Sequence, residues 1–305
     1  MTSVLADNVV ALFPGQGSIT AGAGEAWRDS PHWSLVETIS NASGTDVEEI
    51  LLRLPQEDVV RTDNAQLGTF ALSMISFADL TSNGVLPQYF LGHSLGELSA
   101  LTAAGLLSLA DGARLIGIRG RAMAAAAAQT PGTMVAVMGG DVADRAALEG
   151  LTDAWVANIN GTGQIVLSGT EEGLAYVLAN HKELGWKRAT PLPVGGAFHS
   201  PLMAAAQHEL DQALNDVTWG TTAHTLIANV DAQVHATAEE WKPLLSRQLT
   251  SPVEFLSCVE ALPASVTTTV EMAPGAVLTG LTKRIRSFDS QLSPASYTEM
   301  KEISL

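Results

Sequence analysis

The sequence predicts an α/β fold in which a parallel-sheet domain carries an inserted ferredoxin-like subdomain. Three observations predict it. Short, continuously apolar segments end abruptly in glycine-rich turns and run on into helix-like stretches, as buried parallel strands do. Residues 133–194 follow a β-α-β-β-α-β order, the ferredoxin-like pattern. The 305 residues leave room for such an insertion, at about 150 residues per domain. The expected division is a larger, discontinuous α/β domain from 1–128 and 194–305 and an inserted subdomain from 129–193.

The elements follow in order. Asn8–Phe13 is a buried strand cut off by Pro14-Gly15-Gln16-Gly17. Residues 65–80 repeat apolar side chains at helical spacing. Tyr89–Leu91 is a second strand, entering Gly92-His93-Ser94-Leu95-Gly96, and a helix follows to about Ala104. Ser108 with Asp111 forms a helix start, and the helix runs from Leu109 to about Ala127. On it Leu115, Ile116, Arg119, Ala122 and Met123 share one face, so Arg119 points inward with the apolar stripe. In the insertion, Thr133–Met138, Trp155–Ile159, Gln164–Leu167 and Lys187–Val194 read as strands, with a hairpin turn at Asn160–Gly163. Val142–Glu149 reads as a short helix, and Thr170 caps another that reaches Leu184. Ser200-Pro201 opens a further helix, and Val270–Met272 is a last sheet strand.

Composition narrows the function. Hydrophobic residues make up 46% and charged residues 16%, which suits a sizeable core and excludes a disordered or collagen-like chain. The net charge of −16 argues against nucleic acid and anionic membrane surfaces as partners. The single cysteine, Cys258, excludes an intrachain disulfide and a cysteine-rich metal site, and nothing assigns it a role. No Lys or Arg precedes Arg28, and the longest apolar run, Ala122–Ala128, is too short to span a bilayer. The expectation is a cytoplasmic protein.

Gly92-His93-Ser94-Leu95-Gly96 fits G-x-S-x-G, with a strand before it and a helix after it. Such a turn exposes a serine at a helix N-terminus, where amides and the helix dipole favour a developing oxyanion. A solvent-facing serine on a glycine turn is the plain alternative. The serine needs a base. Among seven histidines, His199 alone ends a strand-to-loop segment, Val194-Gly195-Gly196-Ala197-Phe198-His199, before a helix. A hydrogen-bonded structural histidine is the competing reading. The amides of Gln16 and Leu95 are candidate halves of an oxyanion hole. Arg119 on an apolar face needs an anion: a core carboxylate or, by preference, a substrate carboxylate.

Together these residues resemble the malonyl-CoA:acyl carrier protein transacylases and the acyltransferase domains of fatty acid and polyketide synthases. The matching segments are Phe13–Ser18, Asn64–Gln66, Gly92–Glu97, Arg119–Arg121, Asn158–Asn160, Gly196–Ser200, Gln248–Val253, Pro274-Gly275 and Leu278–Arg284. They run in the family's order over nearly the whole chain. The resemblance implies a hydrolase-like α/β domain with the ferredoxin-like insertion. It implies Ser94 as nucleophile, His199 as base, and Gln16 and Leu95 as oxyanion donors. Arg119 would grip the malonyl carboxylate, and Gln66 would line the pocket. The Gln248 carbonyl would orient His199 in place of a triad acid. Asn160 would lie near the cleft, and Phe198 would crowd the acyl α-carbon. Ile19, Leu67 and Ala276 depart from frequent family residues without removing a catalytic group.

The expected reaction is malonyl transfer from coenzyme A to the phosphopantetheine thiol of an acyl carrier protein, through a malonyl-serine ester, with no metal and no bound cofactor. A discrete acyltransferase serving polyketide synthesis is the alternative. A serine thioesterase or esterase is more distant, because such enzymes usually place their histidine near the C-terminus. A silent carrier-binding module would not need the catalytic set. Carrier proteins are generally acidic, so docking needs a local basic patch. The candidates are Lys182, Lys187 and Arg188, or Lys283, Arg284 and Arg286.

Overall fold

The structure, a computed structural model, describes residues 6–304. Residues 1–5 and 305, assigned above to the larger domain, lie outside the described residues. Among the described residues, ten strands form two sheets. The larger has the order β10-β9-β1-β2-β7-β8. In it β1 (Ala6–Phe13) pairs in parallel with β2 (Pro87–Gly92) and β9 (Thr268–Glu271). Outward from these, β7 (Thr225–Ile227) and β10 (Ser290–Leu292) are parallel too, and only β8 (Val234–His235) at one edge is antiparallel.

The strand sequence explains the position of this sheet. Side chains alternate across a strand, so a strand apolar at every position must be covered on both faces. Val9, Ala11 and Phe13 join one core cluster, while Val10 and Leu12 join another on the opposite face. The first cluster includes the buried stripe of helix Leu109–Gln129, whose Ser108 cap accepts the Asp111 amide at 3.0 Å.

The smaller sheet has the order β4-β5-β3-β6, with all pairs antiparallel. Its strands are β3 (Thr133–Met138), β4 (Ala154–Gly161), β5 (Gln164–Gly169) and β6 (Arg188–Leu192). The first and third strands are central, which is the ferredoxin-like arrangement. One face buries Val135, Val137, Ile165 and Leu167 in the insertion's own core. The other contributes Met134, Ala136 and Val166 to the main core. A short parallel bridge, Asn158 with Val253, ties β4 to the main domain just beyond Gln248.

Three local expectations shift. The 142–149 helix divides into a 3-10 turn, Val142–Asp144, and one helical turn, Ala146–Glu149. The helix capped by Thr170 stops at Asn180, because Gly185 in the left-handed region turns the chain to bury Trp186. The hairpin turn is tighter than expected: β4 continues through Gly161, which pairs with Gln164, and this carries Asn160 onto the strand.

Candidate active site

Ser94 occupies the turn between β2 and the helix Leu95–Ala103, with φ 54° and ψ −112°. Positive φ is uncommon for a residue with a Cβ, and the surroundings must hold it there. The flanking glycines are obligatory. A Cβ on Gly92 would come 2.1 Å from the Gly96 carbonyl, and one on Gly96 would come 1.9 Å from the Phe13 oxygen. Asn229, two residues past β7, clamps the turn. Its Oδ1 accepts the Ser94 amide at 2.7 Å, and its Nδ2 donates to the Gly92 carbonyl at 2.7 Å.

Ser94 Oγ lies 2.7 Å from His199 Nε2. His199 Nδ1 lies 2.8 Å from the Gln248 carbonyl, which can only accept. The proton is therefore on Nδ1, and Nε2 accepts the serine hydroxyl. Burial, and next the Arg119 charge, push the His199 pKa down to about 3, so the ring is neutral at pH 7. The carbonyl stands where a triad carboxylate would. It fixes the tautomer without adding a negative charge.

Arg119 is 1% exposed. Its Nη1 donates to Gln66 Oε1 at 2.7 Å. Its Nη2 donates to Gln248 Oε1 at 3.0 Å and to Ser94 Oγ at 3.1 Å. Among the described residues no carboxylate lies within salt-bridge distance of it, and its Nε has no partner. Burial pulls its pKa down to about 10, against the pull of the Glu97 charge, and the group stays cationic. A buried cation held only by neutral groups is a receptor for an anion.

The remaining expected residues fall around this centre. Gln66 Nε2 donates to Gln16 Oε1 at 3.0 Å, linking the Pro14–Gly17 turn to the Arg119 side. The Gln16 and Leu95 amides each open a short helical segment and have no acceptor among the described residues. Asn160 does not reach Ser94. Its Oδ1 lies 2.9 Å from His93 Nε2, while the His93 ring packs 5.2 Å from that of Phe255. Phe198 is 5% exposed and sits in the main core over Gly196, and its carbonyl accepts the Ser168 hydroxyl.

Sequence reasoning missed two residues. Asn229 carries no motif signal. Glu97 sits inside the recognised Gly92–Glu97 segment, but helical spacing gave no reason to bury it. Its Oε1 accepts the Asn229 amide at 2.6 Å, and its Oε2 accepts from Gln248 Nε2. It is 1% exposed, and burial raises its pKa to about 7. Among the described residues no cluster of three His, Cys, Asp or Glu could hold a metal ion. No described helix is long and apolar enough to cross a membrane.

The basic candidates separate. Arg286 is engaged structurally, donating to the carbonyls of Leu262, Pro263 and Val266 at 2.7–2.8 Å. Arg188 and Arg284, 96 residues apart in sequence (284 − 188), are linked through two neighbouring strand residues. Met138 pairs with both Arg188 and Gln164, and Arg284 donates to Gln164 Oε1 at 3.0 Å. Gln164 also pairs with Gly161, next to Asn160 and so to His93 and Ser94.

A serine hydroxyl bonded to a neutral imidazole at the N-terminus of a helix is equipped to attack acyl carbons, and this places the fold among proteins that handle acyl groups. Residues 10–300 match the family described as the acyl transferase domain, and the chain belongs to that family. It is 36% identical over 286 residues to the malonyl CoA-acyl carrier protein transacylase of Bacillus subtilis, covering 91% of this chain and 90% of that one. The crystal structure of an acyl-carrier-protein-S-malonyltransferase from Bartonella henselae superposes with a TM-score of 0.90 at 34% identity, covering 96% and 97% of the two chains. A malonyl-transacylase in complex with its type II polyketide synthase acyl-carrier protein reaches a TM-score of 0.89 at 31% identity, covering 96% and 97%.

Proposed function

We propose that the chain transfers malonyl groups from malonyl-CoA to the phosphopantetheine thiol of an acyl carrier protein, supplying extender units for fatty acid synthesis. The observation that carries this reading is Arg119, a buried cation without a carboxylate that also touches the Ser94 hydroxyl. A malonyl carboxylate on the guanidinium brings the thioester carbonyl to Ser94. An acetyl group offers Arg119 nothing.

Ser94 Oγ attacks the thioester carbonyl, and its proton passes to His199 Nε2. The Gln16 and Leu95 amides hold the oxyanion. Collapse expels the coenzyme A thiolate, which takes the proton from His199 and leaves a malonyl-serine ester. The carrier thiol then gives its proton to His199 and attacks the ester, and the returning proton restores Ser94. Coenzyme A and phosphopantetheine are substrate carriers in this scheme. No bound cofactor or metal takes part.

The acidic carrier docks against Lys182, Lys187 and Arg188 or against Lys283 and Arg284, a reading supported by the chain of contacts Arg188–Met138–Gln164–Arg284 that links the two clusters. The reaction belongs in the cytoplasm. The polyketide alternative draws support from the carrier-protein complex among the similar structures. The test incubates the chain with malonyl-CoA and a phosphopantetheinylated carrier protein. Stoichiometric malonyl-carrier and free coenzyme A are expected. Free malonate as the main product would instead identify a hydrolase.

A further inference from the structure

Glu97 is a buried carboxyl that the transfer scheme does not use. It lies at the join of three chain segments. Its Oε1 accepts the Asn229 amide at 2.6 Å, and Asn229 in turn holds the Ser94 amide. Its Oε2 accepts from Gln248 Nε2, which also donates to the Ser94 carbonyl at 3.0 Å. The other end of that amide, Gln248 Oε1, faces Arg119, and the Gln248 backbone carbonyl holds His199.

We propose that Glu97 is a positioning residue that sets the polarity of the Gln248 amide, turning its oxygen to Arg119 and its nitrogen to Ser94. The orientation is forced by pairing. With the amide reversed, its NH2 would meet the Arg119 N–H groups, and its oxygen would meet the Glu97 carboxylate and the Ser94 carbonyl. Every contact would then set like against like. Only an acceptor with no hydrogen to donate satisfies both Asn229 N–H and Gln248 NH2. A glutamine at position 97 has one acceptor atom and one donor group, so one of the two contacts must fail. Rotating the Gln248 amide relieves it, at the expense of Arg119 and Ser94.

Protonating Glu97 acts in the same direction, because the carboxyl then carries a hydrogen toward one partner. The charged groups that reach Glu97 are Arg119, which favours the carboxylate, and Asp231, which opposes it. The Cys258 thiol is itself pushed up partly by Glu97 and stays neutral, and burial lowers the pKa of both His93 and His199. With Glu97 titrating near 7 and His199 near 3, an acid limb near pH 7 in the serine's reactivity belongs to Glu97.

This inference rests on the transferase reading for its substrate but not for its network, so two probes are used. Malonyl-CoA reports acylation of Ser94. A fluorophosphonate, which needs only the Ser94–His199 pair, reports the nucleophile alone. In Glu97→Gln both rates at pH 8 should fall about tenfold to a hundredfold, as loss of a buried polar partner implies. The wild-type acid limb near pH 7 should disappear in the variant. The double variant Glu97→Gln with Gln248→Glu again presents acceptors to Arg119 and to residue 97, and should recover part of the loss. Equal labelling of wild type and Glu97→Gln by the fluorophosphonate would overturn the proposal. If Glu97→Gln does not fold, a wild-type profile flat from pH 6 to 8 would overturn it instead. A wild type that reacts with the fluorophosphonate but not with malonyl-CoA would defeat the transferase reading alone, and the fluorophosphonate comparison would still decide the role of Glu97.

Discussion

In the six-stranded sheet, the neighbours β1, β2 and β7 release their chains at one end, and Gln16, Ser94 and Asn229 follow within three residues of those strands. The four-stranded sheet contributes differently. Its hairpin end brings Asn160 to His93, and one end of its strands gathers Arg188 and Gln164 with Arg284. Parallel strands share a direction, so their carboxyl ends converge and several backbone-fixed groups reach one point. Antiparallel neighbours alternate direction and present a broad edge. The comparison teaches that the parallel sheet fixes several backbone-held groups at one point, while the insertion adds side chains from its edge. His199 stands at the seam, on the segment that leaves β6 for the main domain.

The comparison breaks most sharply at His199. His199→Ala should lower acylation from malonyl-CoA by about 10²–10⁴, the usual effect of losing a general base. Rapid-quench acylation measures this, and a drop below tenfold would separate His199 from the reaction. Next in size is selectivity. Arg119→Ala should collapse the preference for malonyl-CoA over acetyl-CoA, because a site built to bind a polar group rejects the analogue that lacks it. An unchanged ratio of kcat/KM values would return Arg119 to a structural role. Wild type should use methylmalonyl-CoA poorly, and Phe198→Ser should relax that exclusion. Because the Phe198 ring lies in the main core, the same change should lower stability by about 3 kcal/mol, visible as a lower Tm.

The insertion side predicts a smaller effect on a different step. Reversing Arg188 and Arg284 to Glu should raise the KM for carrier protein several-fold and flatten the salt dependence of transfer. Acylation from malonyl-CoA should change far less. Equal KM values at low and high salt would place docking elsewhere.

The smallest effect is on stability against pH. His199 titrates near 3 in the folded chain and near 6.5 when unfolded, so the unfolded chain binds the extra proton between those values. Its contribution is present above 6.5 and is lost as pH falls toward 3. Glu97 has the opposite sign: its folded pKa near 7 exceeds the ordinary 4.5, so its contribution is full below 4.5 and is lost as pH rises through 7. Between pH 5 and 7 the two slopes oppose each other, so Glu97→Gln should make Tm rise with pH where wild type stays nearly level. A slope equal to that of wild type would contradict the assignment.

What was legible in the sequence follows this division. The parallel strands β1, β2 and β9, the Ser94 turn and the buried face bearing Arg119 were readable because continuous apolar runs, the period-3.6 pattern and obligatory glycines are local signals, whereas the three-residue strands β7 and β10 carry too short a pattern to read. The insertion's order was readable for the same reason. The segment 28–60 was not assigned, yet it holds the helices Leu35–Ser43 and Val47–Leu52, whose short apolar faces cover the main core. Asn229 and Glu97 were missed because their roles depend on contacts across 132 residues, which no local pattern encodes. Gln248 was placed for its carbonyl, but its side-chain bond to Arg119 could be seen only in three dimensions. Arg286, grouped by sequence with Lys283 and Arg284, turns instead onto three carbonyls that close a loop.

The central claim is that Ser94 carries the malonyl group. The direct measurement is intact mass followed by peptide mapping after mixing the chain with malonyl-CoA. The account predicts one malonyl group per chain, on the peptide containing Ser94, with an equal amount of coenzyme A released. It predicts no adduct in a folded Ser94→Ala variant. A malonyl group on another residue, or one retained by Ser94→Ala, would contradict it.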